Sequence, residues 1–269
     1  MRVVVFGDME GVAGISRWAQ VSATGTLYEE GRKLYTSEMN AAARGAFAGG
    51  ADEVVLMDCH GAGGDSSFNS LLSEELDERC EFVVQSEWTE YTEAFEQGCD
   101  AALMIGMHAM AGSARGVMSH TVSSTNWYAL RFNGTEVGEV GINAALCGNW
   151  GCPVALVTGD DVVCAESAAL LGPGLQTLEV KQGLGRFSAR HRTPAWACRE
   201  IEAAAASAVQ NIAGAPVYNP GAPCTIEVDL GAPDSAEPYT HRANVTISDG
   251  RRLTSTAPTW LEAWRQFYV

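Results

Sequence analysis

MRVVVFGDMEG, residues 1–11, is an apolar run that breaks off at Asp8 and reaches a second carboxylate at Glu10. Val3, Val4, Val5 and Phe6 are β-branched or aromatic and show no polar alternation, so the run reads as a fully buried strand. Gly7 lets the backbone turn at its end. The pattern returns in EVVLMD (53–58), ALMIG (102–106) and PVALVTG (153–159), each bounded by Gly, Asp or Pro. Between the first two lies YEEGRKLYTSEMNAAARGAFAGG, helix-forming sequence that stops at Gly49 and Gly50. EVGINAALCGNW, Glu139 to Trp150, predicts a helix directly before the fourth strand. Strands alternating with helices predict an α/β fold, a mixed and mainly parallel sheet flanked by helices.

Residues 174–269 predict a smaller α+β portion packed on the core of residues 1–173. Its helix, TPAWACREIEAAAASAVQNIAG, has Thr193 as N-cap, Pro194 at the first helical position and Gly214 past the end. TIEVDL and ANVTIS alternate as half-buried strands. TWLEAWRQF begins with Thr259 and Glu262 in capping-box spacing.

The 269 residues are 46% hydrophobic and 19% charged, enough for a sizeable core. No stretch approaches the roughly 18 unbroken apolar residues of a membrane span. Residues 1–10 read as fold and not as a secretory signal, so a cytoplasmic location is expected. A formal charge of −16, from 33 acidic against 17 basic residues, repels phosphate backbones and argues against a nucleic-acid partner. Eight cysteines are scattered without a CxxC pair and read as reduced, structural thiols.

Asp8 and Glu10 sit two apart, so in extended chain both project to one side. Alone, such a pair is an acidic turn or a helix cap; its meaning depends on what meets it. Of five histidines, three fall at strand ends or in the loop that follows: His60 after EVVLMD, His108 after ALMIG, and His120 after GSARGVMS. Open α/β sheets bind ligands outside the carboxyl ends of their strands, which puts Asp8, Glu10, His60 and His108 on one edge. Carboxylates held close repel unless a cation compensates, and imidazole with carboxylate is the donor mixture that suits Zn²⁺. Other polar residues have a plainer reading beside the functional one. Asn143 is a helix-packing residue or a substrate contact; Asp160, Asp161 and Asp58 are turn residues or supports for ligands. Lys181 reads as a solvated lysine or a binder of a carboxylate. GAGGDSS after His60 lacks the lysine of a phosphate-binding loop.

FGDMEGVAG, DCHGAGG, IGMHAMAG, GVMSHTVSS, GEVGINA and VTGDD, in this order, resemble the DppA-type zinc D-aminopeptidases of bacteria. The resemblance runs over nearly the whole chain and is strongest in residues 1–190. It implies two Zn²⁺ per chain: Asp8 bridging both, Glu10 and His60 on one ion, His108 and Glu139 on the other. Glu139 is promoted by the resemblance alone, since an acid opening a helix usually only complements the dipole. His120 matches the family's catalytic residue, as nucleophile or as general acid/base. The substrate implied is a short peptide with an N-terminal D-amino acid of the D-Ala type, and the assembly implied is a homo-oligomer, a decamer. Two other readings fit the residues: a related dinuclear hydrolase acting on another amide or a phosphoester, and a non-catalytic metal- or solute-binding protein.

Overall fold

The computed structural model describes residues 1–85 and 91–267. Its strands are β1 (Arg2–Gly7), β2 (Glu53–Asp58), β3 (Glu81–Val83), β4 (Ala101–Met107), β5 (Trp127–Phe132), β6 (Thr135–Glu136), β7 (Val154–Asp160), β8 (Gln176–Gly185), β9 (Ser188–His191), β10 (Cys224–Leu230), β11 (Val245–Ser248) and β12 (Arg252–Ala257). The helices are α1 (Tyr28–Ala48), α2 (Glu93–Glu96), α3 (Glu139–Asn149), α4 (Asp161–Leu171), α5 (Pro194–Gln210) and α6 (Trp260–Arg265). Seven strands form one sheet in the order β3-β2-β1-β4-β7-β8-β9. All its pairs are parallel except β8 with β9. The remaining five form an antiparallel sheet, β11-β12-β10-β5-β6. The fold is thus α/β, mixed and mainly parallel, with a smaller antiparallel layer.

The unbroken apolar run of β1 follows from burial on both faces. Val3 and Val5 point into a core shared with α1 and α5, where Tyr35, Met39, Ala42 and Ile201 pack. Val4 and Phe6 point into the opposite core, which holds Ile142 and Leu146 of α3, the inner face of the second sheet and Trp264 of α6. Strands from either side of residue 173 contribute to both sheets. β8 and β9 extend the first, and β5 and β6 close the second.

The punctuation read from sequence has its structural counterpart. The Thr193 hydroxyl accepts the Trp196 N–H with Pro194 in the first turn of α5. Thr259 and Glu262 form a reciprocal capping box on α6. Helix α5 ends at Gln210, and a separate 3₁₀ turn, Ile212–Gly214, follows it. No described helix is long and apolar enough to cross a membrane.

Candidate metal centre

Strand β1 lies between β2 and β4, and all three run parallel, so their carboxyl ends reach one edge with Gly7 level with Asp58 and Ile105. Asp8 follows β1 directly, His108 follows β4 directly, and His60 comes two residues after β2. The segment after β1 is tied to β4: the Asp8 N–H donates to the Ile105 carbonyl at 2.9 Å and the Gly11 N–H to that of Gly106 at 2.7 Å. Gly106 has φ +71°, and a Cβ there would lie 2.2 Å from the Asp8 carbonyl oxygen. Only glycine permits this approach, which brings Asp8 beside His108.

Each of the three imidazoles has one nitrogen held by a backbone carbonyl. His60 Nε2 is 2.7 Å from the Val21 oxygen, His108 Nδ1 is 3.0 Å from that of Ala109, and His120 Nδ1 is 2.8 Å from that of Met118. A carbonyl only accepts, so these nitrogens carry the protons and the other nitrogen of each ring presents its lone pair inward. What the lone pairs meet is carboxylate. His60 Nδ1 lies 3.1 Å from both Asp8 Oδ1 and Glu10 Oε2. His108 Nε2 lies 3.3 Å from both Asp8 Oδ2 and Glu139 Oε1. His120 stacks on His108 at 4.0 Å between ring centroids, with its Nε2 3.8 Å from Glu139 Oε1. Glu10 Oε2 and His108 Nε2 are buried and make no aligned hydrogen bond.

Lone pair facing lone pair is repulsive, and such an arrangement is stable only with a positive charge between the donors. A proton or a metal cation can supply that charge, and the electrostatics show how strongly the acids demand it. Burial opposes charge on His60, yet Glu10 and Asp8 hold its pKa well above the ordinary histidine range. Burial is likewise outweighed at His108 by Glu139 and Asp8. Burial pushes Glu139 up, but His108 and then His120 bring it down to about 2. His120 is lowered, by burial and by His108. Asp8, Glu10 and His108 form one group whose ligand atoms lie within 4.8 Å of one another, and His108, His120 and Glu139 form a second. Buried carboxylates and imidazoles that turn one nitrogen inward are a donor set that fits a divalent cation of the zinc type, which would take the place of the protons on those nitrogens.

A cavity of about 170 Å³ opens on these donors. Asp8, Glu10, His60, His120, Glu139 and Asn143 form its polar wall; Phe68, Val122, Ile142 and Trp264 line the rest with Cys59. Asn143 is 4% exposed, and its side chain makes no hydrogen bond among the described residues. Asp58, Asp160 and Asp161 lie outside this cavity. Asp58 accepts the N–H groups of His60, Ser70 and Leu71 and the Tyr35 hydroxyl, fixing the loop that carries His60. Asp160 caps α4 and accepts the Val117 N–H at 2.6 Å, and Asp161 accepts the Gly183 N–H at 2.7 Å.

Lys181 departs most from its sequence reading. It is buried, and its ammonium donates to the carbonyls of Glu10, Val12 and Ile15 at 2.5, 2.9 and 2.7 Å, pinning the segment that carries Glu10. Burial lowers its pKa to about 8. Glu38 holds the same segment through the Ala13 N–H at 2.9 Å, and Glu166 holds the segment after His108 through the Met110 N–H at 3.0 Å. Glu38 and Glu166 sit inside helical sequence whose composition gives them away no more than any solvent-facing acid. For Lys181 a faint signal existed, since LEVK places it next to Val180 in a strand with apolar neighbours.

The D-aminopeptidase family model matches residues 1–269. A D-aminopeptidase of Bacillus subtilis (strain 168) is 33% identical over 214 residues, covering 78% of this chain and 74% of that protein. Among solved structures, DppA from Bacillus subtilis, described as a Zn-dependent D-aminopeptidase and a self-compartmentalizing protease, superposes with a TM-score of 0.91 at 28% identity. The match covers 100% of this chain and 96% of the other.

Proposed function

This chain belongs to the D-aminopeptidase family, and from that premise we propose that it is a two-zinc aminopeptidase releasing an N-terminal D-amino acid, D-alanine foremost, from short peptides. The observation that carries the reading is the set of inward lone pairs of His60 and His108 meeting Asp8, Glu10 and Glu139 in a buried cluster. Asp8 turns Oδ1 to His60 and Oδ2 to His108, which suits a carboxylate shared by two ions. Glu10 and His60 would complete one zinc, and His108 and Glu139 the other. Bound there, zinc supplies Lewis-acid polarisation of the scissile carbonyl and an activated water near neutral pH.

His120 Nδ1 donates to Met118, so Nε2 is left to take a proton from the attacking water. It returns that proton to the leaving amine nitrogen as the C–N bond breaks, leaving a free D-amino acid and a shortened peptide. The unpartnered carboxamide of Asn143 faces the cavity and suits the polar main chain of the substrate. Phe68, Val122, Ile142 and Trp264 offer the side chain an apolar wall, and a cavity this small favours alanine over a large residue. A homo-oligomer, by analogy with the self-compartmentalizing relative, with ten subunits expected from the family resemblance, and a cytoplasmic location complete the proposal.

Replacing His120 by Ala tests the chemistry. Zinc content measured by mass spectrometry stays at the wild-type level, while kcat on D-Ala-Gly falls by about 10²-fold or more. Undiminished turnover would remove His120 from the reaction. Hydrolysis of a generic phosphodiester without cleavage of any D- or L-dipeptide would replace the peptidase reading with that of another dinuclear hydrolase.

A further inference from the structure

Resting on that reading of His120, we infer that Asp160 is the residue that positions the His120 imidazole, acting through the backbone of residues 117–118. Asp160 ends β7, is 1% exposed, and its carboxylate accepts from Val117, Val162 and Val163 and from none of the proposed zinc ligands. Its two oxygens have separate tasks. Oδ1 accepts the N–H groups of Val162 and Val163 and caps α4. Oδ2 reaches across to the Val117 N–H at 2.6 Å.

From Val117 the path to the imidazole is short. The next residue, Met118, sits at φ +53°, a left-handed conformation that is costly for a side chain of this size and persists only where the surroundings impose it. Its N–H is held by the Arg186 carbonyl at 2.6 Å, and its own carbonyl accepts from His120 Nδ1 at 2.8 Å. Asp160 therefore fixes the Gly116–Val117 peptide, one residue before the strained position; the Arg186 carbonyl fixes the Val117–Met118 peptide that follows, and the next peptide carries the carbonyl that fixes the proton on His120. The carbonyl that sets the imidazole's tautomer is aimed by a carboxylate that never meets the substrate. Supports of this type contribute about 10- to 100-fold, because displacements near 1 Å at a reacting group are costly.

Two substitutions separate positioning from helix capping. In Asp160→Ser the shorter hydroxyl still caps α4, serine being a strong N-cap, but no longer extends to Val117. In Asp160→Asn the shape is kept, while one oxygen is replaced by an NH₂ donor that cannot accept both sets of N–H groups. We expect both variants to bind zinc at the wild-type level, to keep KM for D-Ala-Gly, and to lose about 10- to 100-fold in kcat, with Asp160→Ser melting close to wild type. Wild-type kcat in zinc-loaded Asp160→Ser would overturn the proposal and leave Asp160 a helix cap. Loss of zinc from both variants would overturn it too, since Asp160 would then serve the ligands and not His120. His120→Ala, assayed alongside, tells the two levels apart. An active His120→Ala defeats the underlying reading; an inactive one beside fully active Asp160 variants defeats only the positioning role.

Discussion

At the scale of single residues, Glu38 carries the clearest consequence for stability. Burial lifts its carboxyl to about 7, against the opposing pull of the Ala13 N–H and Lys181. Between its ordinary 4.5 and that value the native state binds the extra proton, so this residue's contribution to stability declines as pH rises through the window and is level above it. Glu38→Gln keeps the shape and the acceptor for Ala13 while removing the charge. Denaturant unfolding should show the variant more stable than wild type by about 1–3 kcal/mol at pH 8, shrinking below about 1 kcal/mol at pH 5. An equal difference at both pH values would show that the carboxyl does not titrate as its burial implies. Residues like Glu38 and Lys181 also mark the limit of legibility. Asp8, Glu10, His60 and His108 stand at strand ends, where chain direction alone brings them together. A buried lysine that binds three carbonyls is written in the same letters as a solvated one, and only the folded path of residues 10–15 distinguishes them.

At the scale of elements, the strands with continuous apolar runs were legible because burial on both faces leaves no other composition open to them. β5, β8 and β12 are not legible as strands, since each interleaves polar residues with its apolar ones and shows no continuous apolar run. β5 pairs with β10 across about a hundred residues of chain, a partnership that no local pattern encodes. Helix α3 was legible as a helix, yet its first residue, Glu139, was legible as more than a dipole complement only through the family resemblance. Helix α6 is short and owes its start to a capping box, and it delivers Trp264 to the cavity wall. Thr259→Ala removes the acceptor for the Glu262 N–H and should cost about 0.5–2 kcal/mol. With Trp264 less firmly held, KM for D-Ala-Gly should rise more than kcat falls. A melting temperature equal to that of wild type would show that core packing alone places this helix.

At the scale of the whole molecule, the distribution of charge decides the function. Asp8, Glu10, Glu38, Asp58 and Asp160 are each 2% exposed or less, against one equally buried ammonium, Lys181, among the described residues. Glu139 adds to the same cluster from the rim of the cavity. Burying unpaired carboxylates is expensive, and partner charges within the fold do not match their number. Hydrogen bonds from loop N–H groups hold Asp58 and Asp160, and Lys181 and the Ala13 N–H offset Glu38. Asp8, Glu10 and Glu139 face the inner nitrogens of His60, His108 and His120, and the raised pKa values of His60 and His108 show how strongly this cluster draws positive charge, a demand that protons or bound cations can meet. The direct measurement is zinc per chain by inductively coupled plasma mass spectrometry, on wild type and Asp8→Ala purified in parallel after zinc supplementation and dialysis. Close to two equivalents in wild type and a loss of at least one in folded Asp8→Ala is the predicted result; well-folded wild-type protein that retains no zinc would contradict it.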